Sequence, residues 1–128
     1  KKIDAGADFI QTQCVYNLDR FKEWMRLARE EGLTDKVHIM AGVTPLKSAG
    51  MAKYMDKRVA GMDVPEAIIK RMAGVPKDKM AQEGIQLCLE TIAELREIQG
   101  VHGVHIMAIE WEDAVAQIVT DAGLKPEA

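Results

Sequence analysis

The apolar positions along the chain fall into two alternating rhythms. Asp8-Phe9-Ile10-Gln11-Thr12-Gln13 is rich in β-formers and predicts a strand through about Gln13. Leu18, Phe21, Met25 and Ala28 then recur at helical spacing. Asn17 stands where an N-cap belongs, Asp19 puts negative charge in the first turn, and Gly32 closes this helix. After a turn at Thr34-Asp35-Lys36, Val37 to Val43 is nearly continuous in apolar residues, as a strand covered on both faces should be. Thr44-Pro45 breaks that strand, and Ser48 caps a helix with Met51, Ala52 and Met55 on one face. Arg58 to Met62 reads as a loop. Pro65 at a first helical position opens a short helix through Ile68, Ile69 and Met72 to Gly74. Pro76-Lys77-Asp78 starts the longest helix, with Met80, Gly84, Leu87, Leu95 and Ile98 among its apolar positions and Gly100 at its end. Val104 to Ile109 predicts a third strand, and Glu112 to Ala122 a last helix closed by Gly123. At the chain ends, residues 1–5 read as the end of a helix capped at Gly6, and Lys125 to Ala128 as a frayed tail.

Strand, helix, strand, helices, strand, helix is the order of a parallel α/β sheet with right-handed crossovers. Three such units are too few to close a (β/α)₈ barrel of ~250 residues, although they can form part of one. The length of 128 residues allows one domain, and 48% hydrophobic with 29% charged residues fits a soluble globular chain. A net charge of −3 argues against a nucleic-acid partner, and no apolar run approaches the ~20 residues of a membrane span. The chain opens Lys1-Lys2-Ile3, without Met or an apolar signal segment, so a fragment of a longer cytoplasmic protein is expected. Cys14 and Cys88 are far apart and form no CxxC, so reduced thiols and no metal site are expected.

In parallel α/β folds, ligands bind at the C-terminal ends of the strands. That rule selects Gln11, Thr12, Gln13 and Tyr16, then Gly42 to Pro45, then Ile109, Glu110 and Trp111. Gln13 is the best single candidate, because its amide offers two donors and an acceptor to a flat polar ring. Glu110 fits an acid/base or an anchor for a ligand amine, but a carboxylate just before a helix also suits the helix dipole. His38 and His105 fall inside strands and His102 in the turn before the third. None has a Cys or carboxylate partner in sequence, so they read as structural. Cys14 reads as packing. Met51 and Met55 lie one helical turn apart and suit either a helix core or an adaptable wall for a planar ligand.

With these residues laid out, the chain resembles the C-terminal part of methylenetetrahydrofolate reductases. Asp4-Ala5-Gly6-Ala7-Asp8-Phe9-Ile10-Gln11-Thr12-Gln13, Gly42-Val43-Thr44-Pro45-Leu46-Lys47-Ser48 and Val64-Pro65 carry the resemblance, which extends over nearly the whole chain. The wording Pro45 to Met55 is similar to that of archaeal and acetogen-type members. The resemblance implies a flavin-dependent (β/α)₈ barrel, of which residues 1–128 would supply about strands 6–8 with their helices. It implies FAD or FMN, reduced by NAD(P)H or another reductant, with hydride passed from the reduced flavin to the folate one-carbon unit. Gln13 matches the family glutamine that hydrogen-bonds the folate pterin. Lys2 falls where some members place a basic residue on the flavin phosphates, and Ala7 where the flavin site is lined. Met51 and Met55 stand where well-known members have a glutamine and a pterin-stacking aromatic, and Glu110 where a neutral residue is usual. The family's catalytic carboxylate and most flavin contacts would lie upstream of Lys1, so no catalytic residue is assigned within the chain.

The expected function is therefore a share in reducing 5,10-methylenetetrahydrofolate to 5-methyltetrahydrofolate, with the isolated chain inactive. The expected partners are folate, the missing N-terminal half of the barrel, and further copies or another subunit. Two alternatives compete: a non-catalytic binding or assembly unit, and a pterin-using, corrinoid-linked methyltransferase barrel. Flavin or cobalamin binding by the full-length protein would discriminate between them.

Overall fold

A computed structural model describes residues 1–124. The expected frayed tail from Lys125 to Ala128 lies outside the described residues. Three strands, β1 (Phe9–Cys14), β2 (His38–Val43) and β3 (Val101–Ile106), form one parallel sheet in the order β1-β2-β3. Helices α1 (Leu18–Glu30), α2 (Ala49–Arg58), α3 (Glu66–Ala73), α4 (Met80–Arg96) and α5 (Asp113–Asp121) connect and follow them. Among the described residues, no helix is long and apolar enough to cross a membrane.

Local chemistry sets most of these boundaries. The Asn17 side chain accepts the Arg20 N–H at 3.1 Å and starts α1. Ser48 does the same for α2 by accepting the Met51 N–H at 3.1 Å. Pro65 lies just before α3 rather than at its first position, and its carbonyl receives the Ile68 and Ile69 N–H groups. A 3-10 turn over Lys77–Lys79 precedes α4, so the regular helix begins at Met80, later than the proline-based expectation. Residues 1–6 end as a helix does: Ala5 N–H bonds the Lys1 carbonyl at 3.0 Å, and Gly6, at φ +102°, closes the turn with its own N–H on the Ile3 carbonyl and the Ala7 N–H on the Lys2 carbonyl.

The third strand begins three residues earlier than its apolar run suggests. His102 is inside β3, not in the turn before it. Its Nδ1 accepts the Ile39 N–H at 3.2 Å, at the point where the β2–β3 register shifts. A side chain thus supplies an acceptor that the backbone ladder lacks there. After Ile106 one further ladder bond forms, Met107 N–H to Val43 O, before the chain turns at Ile109 and Glu110.

One sheet face carries the core. Ile39, Ala41 and Val43 of β2 are buried against Phe21 and Met25 of α1, Ile92 and Leu95 of α4, and Ile118 of α5. A second cluster joins Tyr16 and Leu46 to Ala52 and Met55 of α2, Val64, and Met72 of α3. Gly84 of α4 lies directly on the Leu46 carbonyl, where a Cβ would overlap the oxygen. This contact docks the longest helix on the loop after β2. Among the described residues, the opposite sheet face has no such cover. Phe9, Gln11, Gln13 and His38 are exposed along it, with Met40 and His105 half-buried.

Candidate functional site

The C-terminal ends of the strands gather three connections: β1–α1, β2–α2 and β3–α5. Gln13 is exposed at the end of β1, and its Nε2 donates to the Ala60 carbonyl at 3.3 Å. Gly61 makes that approach possible. Its φ is +80°, and a Cβ would stand 3.3 Å from the Gln13 amide nitrogen. Behind Gln13, the Thr12 Oγ1 accepts the Gly42 N–H at 3.0 Å and donates to the Gln13 carbonyl at 2.9 Å. A Cβ on Gly42 would meet the Thr12 carbonyl oxygen at 2.7 Å. Glycine there lets β1 close on β2, where their register slips between Gln11 and Cys14.

Gln13 opens onto a cleft of about 470 Å³ that also includes Lys2, Ile10, Arg20, Trp24 and Asp63. Asp63 accepts from Asn17 Nδ2 at 2.9 Å and from Arg20 Nη1 at 3.2 Å. These two hydrogen bonds hold its carboxyl below the usual carboxylate range. Asn17 therefore caps α1 and fastens the loop before α3 to the same corner. Neither Asp63 nor Arg20 is a sequence candidate. Their partnership spans 43 residues, and no local spacing signals it.

The structure brings only some of the candidates together. Lys2 and Gln13 line one cleft. Ala7 is half-buried in the N-terminal turn, where its N–H bonds the Lys2 carbonyl at 3.1 Å, and it does not line the cleft. Met55 is buried in the second core cluster, and Met51 is half-buried against that cluster, outside the cleft. The Met51 Sδ faces the Lys47 N–H at 3.5 Å. Thr44 is buried, with its Oγ1 2.7 Å from Cys14 Sγ and its carbonyl accepting the Tyr16 hydroxyl at 3.0 Å.

This arrangement limits the acid–base chemistry of the corner. Burial raises the Cys14 thiol above its ordinary range, against a smaller opposing effect from the Thr44 hydrogen bond. Burial pushes Cys88 up to about 12. Tyr16 is held well above the ordinary phenol range, first by burial and then by the neighbouring thiols. Neither thiol is set up as a nucleophile, since a thiolate needs a lowered pKa. Among the described residues, no three His, Cys, Asp or Glu side chains gather as a metal site. Glu110 is exposed at the end of the β3 connection. Its carbonyl accepts from Lys47 Nζ at 2.7 Å, and that ammonium stands 5.5 Å from the centre of the Trp111 ring.

Comparison with known proteins matches this sequence to a family. A family model described as methylenetetrahydrofolate reductase matches residues 1–123. The methylenetetrahydrofolate reductase 2 of Schizosaccharomyces pombe is 31% identical over 97% of this chain and 20% of its own length. The methylenetetrahydrofolate reductase 1 of the same yeast is 28% identical over 98% of this chain and 21% of its own length. A Caenorhabditis elegans protein named probable methylenetetrahydrofolate reductase (NADPH) is 26% identical over 96% of this chain and 18% of its own length. The chain thus spans about a fifth of the length of these curated relatives.

Proposed function

Because the chain belongs to the methylenetetrahydrofolate reductase family, we propose that residues 1–128 are the C-terminal portion of a flavin-dependent (β/α)₈ barrel reductase. Its three strands are barrel strands 6–8. The parent enzyme converts 5,10-methylenetetrahydrofolate to 5-methyltetrahydrofolate. The observation that carries this reading is Gln13. It sits at the C-terminal end of a parallel strand, opens onto the cleft shared with Lys2, and is steadied by the Ala60 carbonyl.

The residues present fit one side of a flavin–folate site. Lys2 offers an ammonium for a phosphate, and Gln11 and Gln13 offer amides to ring edges. Ala7, through its bond to the Lys2 carbonyl, closes the turn that carries that lysine. When bound, the reduced flavin supplies the hydride, with NAD(P)H or another reductant as the source of electrons. Gln13 orients the pterin by hydrogen bonding. Met51 and Met55 stand at the positions matching pterin-contacting family residues, but Met55 is buried in the second core cluster and Met51 packs against it, so α2 uses them for packing. No described residue is assigned proton transfer, and the catalytic carboxylate is assigned to the part of the parent upstream of Lys1.

The uncovered sheet face favours a second role within the same reading. Phe9 is 55% exposed on it, and Trp24 and Leu27 of α1 are exposed as well. These surfaces suit assembly with the N-terminal half of the barrel. The chain alone is an inactive unit.

Gln13→Ala in the full-length parent tests the functional assignment. Losing one hydrogen-bonding partner costs ~1–3 kcal/mol, or roughly 5- to 150-fold in folate kcat/KM. Flavin absorbance should remain. Unchanged folate kinetics would remove Gln13 from the site.

A further inference from the structure

Glu110 is the one residue other than glycine with positive φ among the described residues, at +51°. A side chain with a Cβ occupies that region at a cost, so surrounding contacts must hold it there. Its own carboxylate does not do so, since it makes no ion pair or hydrogen bond among the described residues. The support comes from across the sheet end. Lys47 Nζ donates to the Glu110 carbonyl at 2.7 Å and also stands over the Trp111 ring. These two contacts engage consecutive residues of the β3–α5 connection with one side chain from the β2–α2 connection.

Lys47 has a rigid base from which to do this. Thr44, Pro45 and Leu46 before it are buried, and the Leu46 carbonyl is packed on Gly84 of α4. Ser48 after it caps α2. On the other side, Trp111 packs against the main core, and its carbonyl accepts the Ala114 N–H at 3.1 Å as α5 begins. Only the turn at Ile109 and Glu110, both exposed, lies between fixed elements.

We propose that Lys47 is a positioning residue that latches the β3–α5 connection to the β2–α2 connection and keeps Glu110 in its left-handed turn at the rim of the site. The latch rests on geometry. Its effect on catalysis rests on the reductase reading, because a rim that loosens must weaken binding of a substrate seated at the strand ends. An arginine at this position preserves both a donor and a cation over the indole. A methionine preserves neither.

The test uses the full-length parent labelled with 5-fluorotryptophan. The Trp111 fluorine resonance is assigned by its disappearance in Trp111→Phe. Lys47→Met should shift and broaden that resonance and raise the folate KM by about 3- to 10-fold, the worth of one hydrogen bond. It should change kcat less than about 2-fold, because the lysine acts on binding and not on the reacting atoms. Lys47→Arg should restore both readouts. In a Glu110→Gly background, where the left-handed turn needs no support, Lys47→Met should raise KM by a smaller factor. An unmoved Trp111 resonance in Lys47→Met overturns the latch, and a moved resonance with an unchanged KM overturns the positioning role. A parent that reduces no folate would defeat the reductase reading instead, and the resonance would still decide the latch.

Discussion

Gly84 of α4 sits on the Leu46 carbonyl, so its side of the helix has no room for a Cβ. The contact is with backbone and not with a flexible side chain, so it cannot yield. Gly84→Ala must push α4 off the loop after β2. Overpacking of this kind typically costs about 1–3 kcal/mol, and urea denaturation should show a loss toward the upper end. Sequence spacing identified Gly84 only as one more apolar helix position, since periodicity gives the face of a helix but not how closely another chain segment approaches it. Asp63 was equally hidden, whereas the two caps Asn17 and Ser48 were legible because capping is local. Asp63 also gives a pH dependence. Its carboxyl is held low by Asn17 and Arg20, so the stability it contributes is present above the unfolded carboxylate range near pH 4. That contribution is lost as pH falls through the lower folded value. Asp63→Asn should therefore flatten part of the acid limb of a stability-versus-pH curve. An identical acid limb would mean that the pair is solvated away. Cys88, buried and pushed up to about 12, should resist thiol reagents at pH 8 until denaturant is added. Rapid labelling in the native state would contradict that burial.

At the scale of elements, the strands and helices were legible because their apolar periods differ, 2 or continuous for strands and 3.6 for helices. The third strand was the exception. Val104 to Ile109 has the most β-like composition, yet pairing begins at Val101 because Val101 is the residue that meets Ile39. His102 and Gly103 resembled a turn, but the uncovered face tolerates an imidazole and the register shift accommodates the glycine. The His102 acceptor should matter in proportion to the burial of its donor, and Ile39 is only 1% exposed. His102→Ala leaves that N–H without its partner, at a cost of ~1–3 kcal/mol. Amide exchange at Ile39 should quicken more than at Ala41, and equal protection at both would show that water or backbone replaces the imidazole. Met51 and Met55 mark the limit of element-level reading. Their spacing placed them on one helix face, and the structure packs that face against Tyr16, Leu46 and Met72, while the resemblance associates the same positions with ligand.

The whole molecule has an asymmetry that no single element carries. One sheet face is sealed by α1, α4 and α5, and the other presents Phe9, Gln11, Gln13 and His38. Among the described residues, the outer edges of β1 and β3 have ladder groups without strand partners. The parallel α/β order was legible from the alternating elements, and the barrel reading rests on the family wording. The period alone could not tell a small open sheet from a barrel segment, because both bury strands under helices. If the chain is strands 6–8 of a reductase barrel, the exposed face and edges require other strands, and most flavin contacts lie on those strands. Light scattering of the isolated chain at micromolar concentration, combined with a flavin titration of the same sample, tests whether these strands are a barrel segment. Self-association and no tight flavin binding are expected. A well-folded monomer that binds flavin stoichiometrically would contradict both the barrel-segment reading and the placement of the flavin site.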